Sequence, residues 1–226
     1  KVLEVIAQLP EDMKSDDSAR YWQARALAET GQQAQAEAVL KELAETRGYY
    51  GFMAAARMNV KPSLAHKPIP VSKDEYSAFK KSPAIARVKE WEALDRPNAA
   101  RREMIYIQRY GNEQQKLSAA KLDYENGWYD RAVVALANAG YWDDVELRFP
   151  MVYRREIQQH AKAANIDPAW AMAITRRESI FMPQVKSAAG AHGLMQIMPQ
   201  TAKHIKGKAV RPDQLFNPGF NIDLGT

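Results

Sequence analysis

Among the carboxylates of this 226-residue chain, Glu178 has a setting suited to proton transfer. Asp167-Pro168 supplies an N-cap followed by proline at the first helical position, so a helix starts there. It runs through Ala169-Trp-Ala-Met-Ala-Ile-Thr-Arg-Arg-Glu178, and Pro183 requires it to end by about Met182. Glu178 therefore falls in the last turns, where the negative end of the helix dipole favours the protonated carboxyl that a general acid needs. Taken alone, a glutamate at such a place is ordinarily a solvated surface group. The other acidic residues of the last third, Glu156, Asp167, Asp213 and Asp223, read as surface, cap or turn groups. His66, His160, His192 and His204 show no metal-ligand spacing, and the chain has no cysteine; they read as surface or loop residues, and no metal or other cofactor is expected. Gly190-Ala-His-Gly193 lacks a following Lys-Ser/Thr and a preceding strand, so it is not read as a nucleotide-binding loop.

The elements that must position Glu178 are helical. From Asp17 to Glu45 the apolar residues Tyr21, Trp22, Ala24, Ala28, Ala34, Ala38, Leu40 and Leu43 fall at helical spacing around Thr30-Gly31-Gln32, which predicts an antiparallel helix pair. A similar unit recurs from Leu117 to Ala139 around Asn126-Gly127, and both resemble tetratricopeptide-type pairs. Pro62, Pro68 and Pro70 cannot sit inside a regular helix and mark a linker; Phe149-Pro150 marks another break. The expected division is a superhelix segment over 1–66, a helical linker domain over 67–149, and the first part of a further domain over 150–226. No stretch shows the Val/Ile/Thr alternation of a strand, so the fold class expected is all-α.

Apolar residues make up 46% and charged residues 26% of the chain, which is ordinary globular usage and excludes a disordered or collagenous protein. The longest uncharged run, Ser187 to Ala202, is broken by Gly190, Gly193 and Pro199 and is too polar to span a bilayer. Charge is uneven: residues 1–150 hold 22 Lys/Arg against 22 Asp/Glu, and residues 151–226 hold 10 against 5. The net charge of +5 thus lies in the last third, which suits an anionic partner, whether nucleic acid, a membrane surface or an acidic polymer. A merely solvated basic face is the plainer alternative.

The stretch Arg177-Glu178-Ser179-Ile180-Phe181-Met182-Pro183, then Ser187-Ala-Ala-Gly190-Ala-His-Gly193-Leu-Met-Gln196-Ile-Met198-Pro199-Gln-Thr201-Ala202, decides among these. It resembles the signature of the soluble lytic transglycosylases, which share the goose-type lysozyme fold. In that family a Glu-Ser pair, a Ser-x-x-Gly-Ala-x-Gly-Leu-Met-Gln stretch and a Met-Pro-x-Thr-Ala helix start occur in this order. Met182 and Arg177 depart from the common Asn and Gln at their positions. Tyr49 to Arg57 resembles a segment of the family's superhelical region, and Asn221-Ile222-x-x-Gly225 resembles the start of a later motif.

The resemblance implies a peptidoglycan lyase that cleaves the β-1,4 bond between N-acetylmuramic acid and N-acetylglucosamine without water, leaving 1,6-anhydro ends. It makes Glu178 the single acid and base, implies that Ser187, Gln196 and Met198 contact substrate, and gives Ser179 a supporting place. Gly190 and Gly193 are read as loop glycines, and Met195 as core filling. The implied partner is the peptidoglycan glycan strand rather than nucleic acid, together with cell-wall synthesis or remodelling proteins, and the implied compartment is the periplasm. Two other readings compete: a lysozyme-type hydrolase on the same fold, and a non-catalytic helical-repeat adaptor. Because the chain opens inside an amphipathic pattern and its resemblance stops before the family's Ala-x-Tyr-Asn-Ala-Gly motif, a fragment with an incomplete cleft is expected.

Overall fold

The computed structural model describes all 226 residues, which form helices and no named strand, as the missing alternation predicted. The chain divides into two compact units, Lys1–Lys67 and Pro68–Thr226.

The first unit holds α1 (Val2–Ala7), α2 (Glu11–Lys14), α3 (Asp17–Glu29), α4 (Gln33–Ala44) and α5 (Tyr49–Met58). The expected pair is α3 and α4: Asp16 caps α3 by accepting from the Ser18 N–H at 2.8 Å, and Gly31 turns the chain between the two helices. Tyr21, Ala24, Leu40, Leu43, Ala54 and Ala55 fill the space among α3, α4 and α5. The proline-rich segment that follows is not loose. Arg47 Nη1 donates to the carbonyls of Leu64 and Ala65, each at 3.2 Å.

The second unit begins with an extended run pinned by three hydrogen bonds. The Tyr141 hydroxyl donates to Pro68 O (2.9 Å), the Ile69 N–H to Asp144 Oδ2 (3.0 Å), and Gln114 Nε2 to Pro70 O (3.0 Å). Six helices follow: α6 (Lys73–Lys80), α7 (Pro83–Ala93), α8 (Pro97–Tyr110), α9 (Glu113–Glu125), α10 (Tyr129–Asn138) and α11 (Val145–Arg148). Capping boxes start α6 at Ser72 and α9 at Asn112, each satisfying two backbone N–H groups that a helix start would leave unpaired. Ile85, Val88, Met104 and Ile107 fill one core of this segment, and Leu117, Ala120, Ala135 and Leu136 fill another.

The rest of the unit carries α12 (Arg154–Ala163), α13 (Pro168–Ser179), α14 (Pro199–Lys206), a 3-10 turn (Pro212–Phe216) and α15 (Pro218–Gly225). Their core joins Ile157 and Ala161 of α12, Ala171 of α13, and Ala202, Leu215, Ile222 and Leu224 to the loop residues Leu194, Met195 and Ile197. Arg176 of α13 reaches back to the break before α12: its Nε donates to Arg148 O at 3.0 Å and its guanidinium lies 4.4 Å from the Phe149 ring centroid.

Candidate active site

The helix that carries Glu178 is built as its sequence requires. Asp167 accepts from the Ala169 N–H at 2.8 Å, Pro168 takes the first helical position, and the helix closes where Ile180 turns left-handed and donates its N–H to Arg176 O. Glu178 stands next to last, exposed, with no hydrogen bond or ion pair to any part of the chain. The two residues that follow its neighbour Ser179 both hold positive φ: Ile180 at 49° and Phe181 at 63°. A β-branched residue there is a genuine outlier, and each such residue costs roughly 1–3 kcal/mol unless its surroundings hold it. Phe181 is buried, which supplies part of that hold. Sequence inspection put the helix end here, but nothing in the residue types announced two left-handed residues without glycine.

Ser179 is buried, and its hydroxyl donates back to Thr175 O at 3.2 Å, one turn earlier. It is therefore engaged with its own helix instead of the Glu178 carboxylate.

The loop from Ser187 to Met198 carries the other three candidates. Ser187 Oγ accepts from the Ala191 N–H at 3.0 Å, and the two residues are also linked by the Ser187 N–H donating to Ala191 O. His192 and Ile197 exchange backbone hydrogen bonds, each at 3.0 Å, making a narrow ring that turns at Gly193 and at Gln196, whose φ is 49°. Gln196 is half-buried and its Nε2 donates to Gly193 O at 2.9 Å. Nε2 also approaches Val185 O at 3.5 Å, so the amide nitrogen is turned to the loop while no hydrogen bond of the chain engages the amide oxygen. Met198 is 39% exposed, whereas Met195 is buried in the core, where the residue pattern put it.

Glycine at 193 is obligatory for two reasons. Its φ is 75°, and a Cβ there would lie 2.2 Å from Leu215 O and 2.5 Å from Asn221 Nδ2. Asn221, fully buried, is the residue that sequence reading passed over as part of a motif. Its Oδ1 accepts from the Met195 N–H at 2.7 Å, and its Nδ2 donates to His192 O at 2.9 Å and Leu215 O at 2.8 Å. One side chain thereby satisfies three backbone groups and holds the Gln196 loop to α15. His192 lies in a loop as expected but is buried rather than on the surface, packed edge-on against Phe216 at 5.2 Å between centroids. The reason is the same ring of backbone bonds, which turns its side chain inward.

The remaining carboxylates of residues 151–226 have other duties. Asp223 contacts Lys206 Nζ at 2.6 Å and His160 Nδ1 at 3.3 Å; the Lys206 hydrogen bond above all holds its carboxyl below the usual range. Asp213 pairs with Arg211, Asp167 is the cap, and Glu156 occupies the first turn of α12, where the helix dipole suits a negative charge. No group of three or more His, Cys, Asp or Glu side chains is arranged to hold a metal ion.

A family model described as the soluble lytic murein transglycosylase L domain matches residues 78–145, and one described as the transglycosylase SLT domain matches residues 155–226. The chain is 37% identical to the soluble lytic murein transglycosylase of Escherichia coli K12 over 98% of its own length and 35% of that relative's. It is 36% identical to the protein of the same name from Salmonella typhimurium, with equal coverage. The X-ray structure of an inactive Glu-to-Gln variant of lytic transglycosylase Slt from Pseudomonas aeruginosa superimposes with a TM-score of 0.85 at 32% identity, covering 98% of this chain and 37% of that one. The 70 kDa soluble lytic transglycosylase of E. coli gives 0.80 at 36% identity, covering 97% and 36%. The chain thus spans about a third of the length of these relatives.

Proposed function

The chain belongs to the soluble lytic murein transglycosylase family, and from that premise we propose that the protein of which it forms part cleaves the MurNAc-GlcNAc β-1,4 bond of peptidoglycan without water. The carrying observation is a free, exposed carboxylate at the C-terminal end of α13, on a helix that shares one hydrophobic core with the Gln196 loop.

In this reading the Glu178 carboxyl gives its proton to the bridging oxygen as the C1–O bond breaks, releasing the N-acetylglucosamine hydroxyl. The resulting carboxylate then takes the proton of the muramoyl C6 hydroxyl while that oxygen bonds to C1, closing the 1,6-anhydro ring. The glutamate returns to its protonated state and no water is consumed. Ordinary glycosidases use two carboxylates at a set separation; here Asp167 is a cap, Asp213 and Asp223 are paired, and Glu156 sits in the first turn of α12. An internal nucleophile held against C1 replaces the second carboxylate by proximity. Gln196 Oε1 accepts from an N-acetyl N–H or a hydroxyl, Ser187 retains its hydroxyl proton for donation, and Met198 offers a polarisable apolar surface to a sugar ring. The loss of activity in the P. aeruginosa relative on exchange of one glutamate for glutamine is the behaviour this reading expects of Glu178. Such a substrate implies action in the periplasm, beside other wall-building and remodelling proteins.

The test is digestion of purified murein by the native full-length protein. Anhydro ends are expected, and Glu178→Gln should lower turnover by about 10²–10⁴-fold, the span a general acid-base group supplies. New reducing ends would assign the lysozyme-type hydrolysis, and undiminished turnover by the variant would remove Glu178 from the chemistry.

A further inference from the structure

Helices α7 and α8 enclose an open groove lined by Arg87 and Trp91 on one side and Ala99, Arg102, Glu103 and Tyr106 on the other. The inner faces of the same helices, through Ile85, Val88, Met104 and Ile107, fill a core to which none of the groove residues belongs. Arg102, Tyr106 and Tyr110 succeed one another at intervals of four and form one ridge, with the two tyrosine rings 4.8 Å apart between centroids. Tyr106 is 61% exposed, Tyr110 62%, and Trp91 38%. Isolated exposed apolar residues are commonplace, but two aromatic rings lining one groove, with Tyr110 packed beside one of them, make a patch of the kind that binds.

The charges of the groove select its occupant. Arg87 is spent on Glu103, at 3.1 Å. The Arg102 guanidinium has no partner in the chain and leaves one positive charge with a planar fork of donors. Flat aromatic faces with polar edges suit the apolar C–H faces of pyranose rings, and a free guanidinium suits a carboxylate. An anionic polysaccharide supplies both. We propose that the α7–α8 groove is a second glycan-binding site, away from Glu178, in which Trp91 and Tyr106 carry sugar rings and Arg102 binds a carboxylate of the attached peptides. This rests on the murein reading above. It gives the L-domain segment a direct grip on the polymer.

The experiment is co-sedimentation with murein glycan strands, using the native full-length protein with Glu178→Gln so that the strands persist. Trp91→Ala with Tyr106→Ala should weaken binding about tenfold, while Trp91→Phe with Tyr106→Phe retains it. Arg102→Ala should abolish the preference for peptide-bearing over peptide-free strands. Unchanged binding by the double alanine variant overturns the proposal, and so does a fall in melting temperature that accompanies the loss, which would mean the face packs against protein. Product analysis of the unsubstituted enzyme judges the murein reading separately, so failure of one is not mistaken for failure of the other.

Discussion

At the scale of single residues, the candidate site is held by side chains that do no chemistry. Asn221 illustrates this: it makes three hydrogen bonds to backbone groups as far as 29 positions away. Removing it strands buried donors and acceptors, each costing about 1–3 kcal/mol. Asn221→Ala should therefore lower the stability of this segment by about 3–5 kcal/mol, read from urea midpoints, and should weaken glycan binding because the Gln196 loop loses its tie to α15. A variant with the native midpoint would show that the backbone ring at His192 and Ile197 holds the loop unaided. Gly193 was legible as a loop glycine, while the close approach of Leu215 O that makes it obligatory was seen only in the fold. Asn221 was not, because its partners are assembled only by the fold.

At the scale of elements, the α8–α9–α10 group carries a buried ionic cluster outside the candidate site. Asp123 is fully buried, accepts from Gln108 Nε2 at 2.9 Å, and faces Arg131 at 3.2 Å, whose guanidinium lies 3.9 Å from the Trp128 centroid. Burial dominates and pushes the Asp123 carboxyl up to about 7, against the opposing pull of Arg131. Its folded value thus lies above the unfolded one of about 3.9, so the folded state holds the proton more tightly. The stability this contributes is complete below about pH 4 and is lost as pH rises through about 7. Asp123→Asn should flatten that part of the stability-pH curve, followed by helical circular dichroism in urea titrations at pH 5 and pH 8. An equal slope in variant and native protein would refute the assignment. The helix pairs themselves were readable from apolar spacing and from Gly31 and Gly127, whereas this cluster was not: Asp123 and Arg131 look like ordinary helix-surface charges until α8 covers them.

For the whole molecule, charge distribution is the property with a direct consequence. Residues 151–226 hold twice as many basic as acidic groups, and no helix is long and apolar enough to cross a membrane. If this excess draws in a polymer bearing carboxylates, binding must weaken as salt shortens the screening length from about 10 Å at 0.1 M to about 3 Å at 1 M. Co-sedimentation with sacculi in low and high NaCl should show that decline for peptide-bearing strands and a shallower one for peptide-free strands. A flat salt response would leave the basic third as a solvated face and nothing more.

Helix starts and stops, the proline-rich linker, the all-α class and the family signature around Glu178 were determined by sequence alone. Each depends on interactions among residues within a few positions of one another: a cap, a fixed φ, an apolar stripe. What only tertiary structure decided are the features made by residues distant along the chain. Asn221 spans from α15 to the Gln196 loop, His192 is turned inward, Ile180 and Phe181 are held left-handed behind Glu178, and Trp91 comes to face Tyr106 across two helices. Burial and long-range hydrogen bonding create these arrangements, and neither is a property of any short stretch of chain.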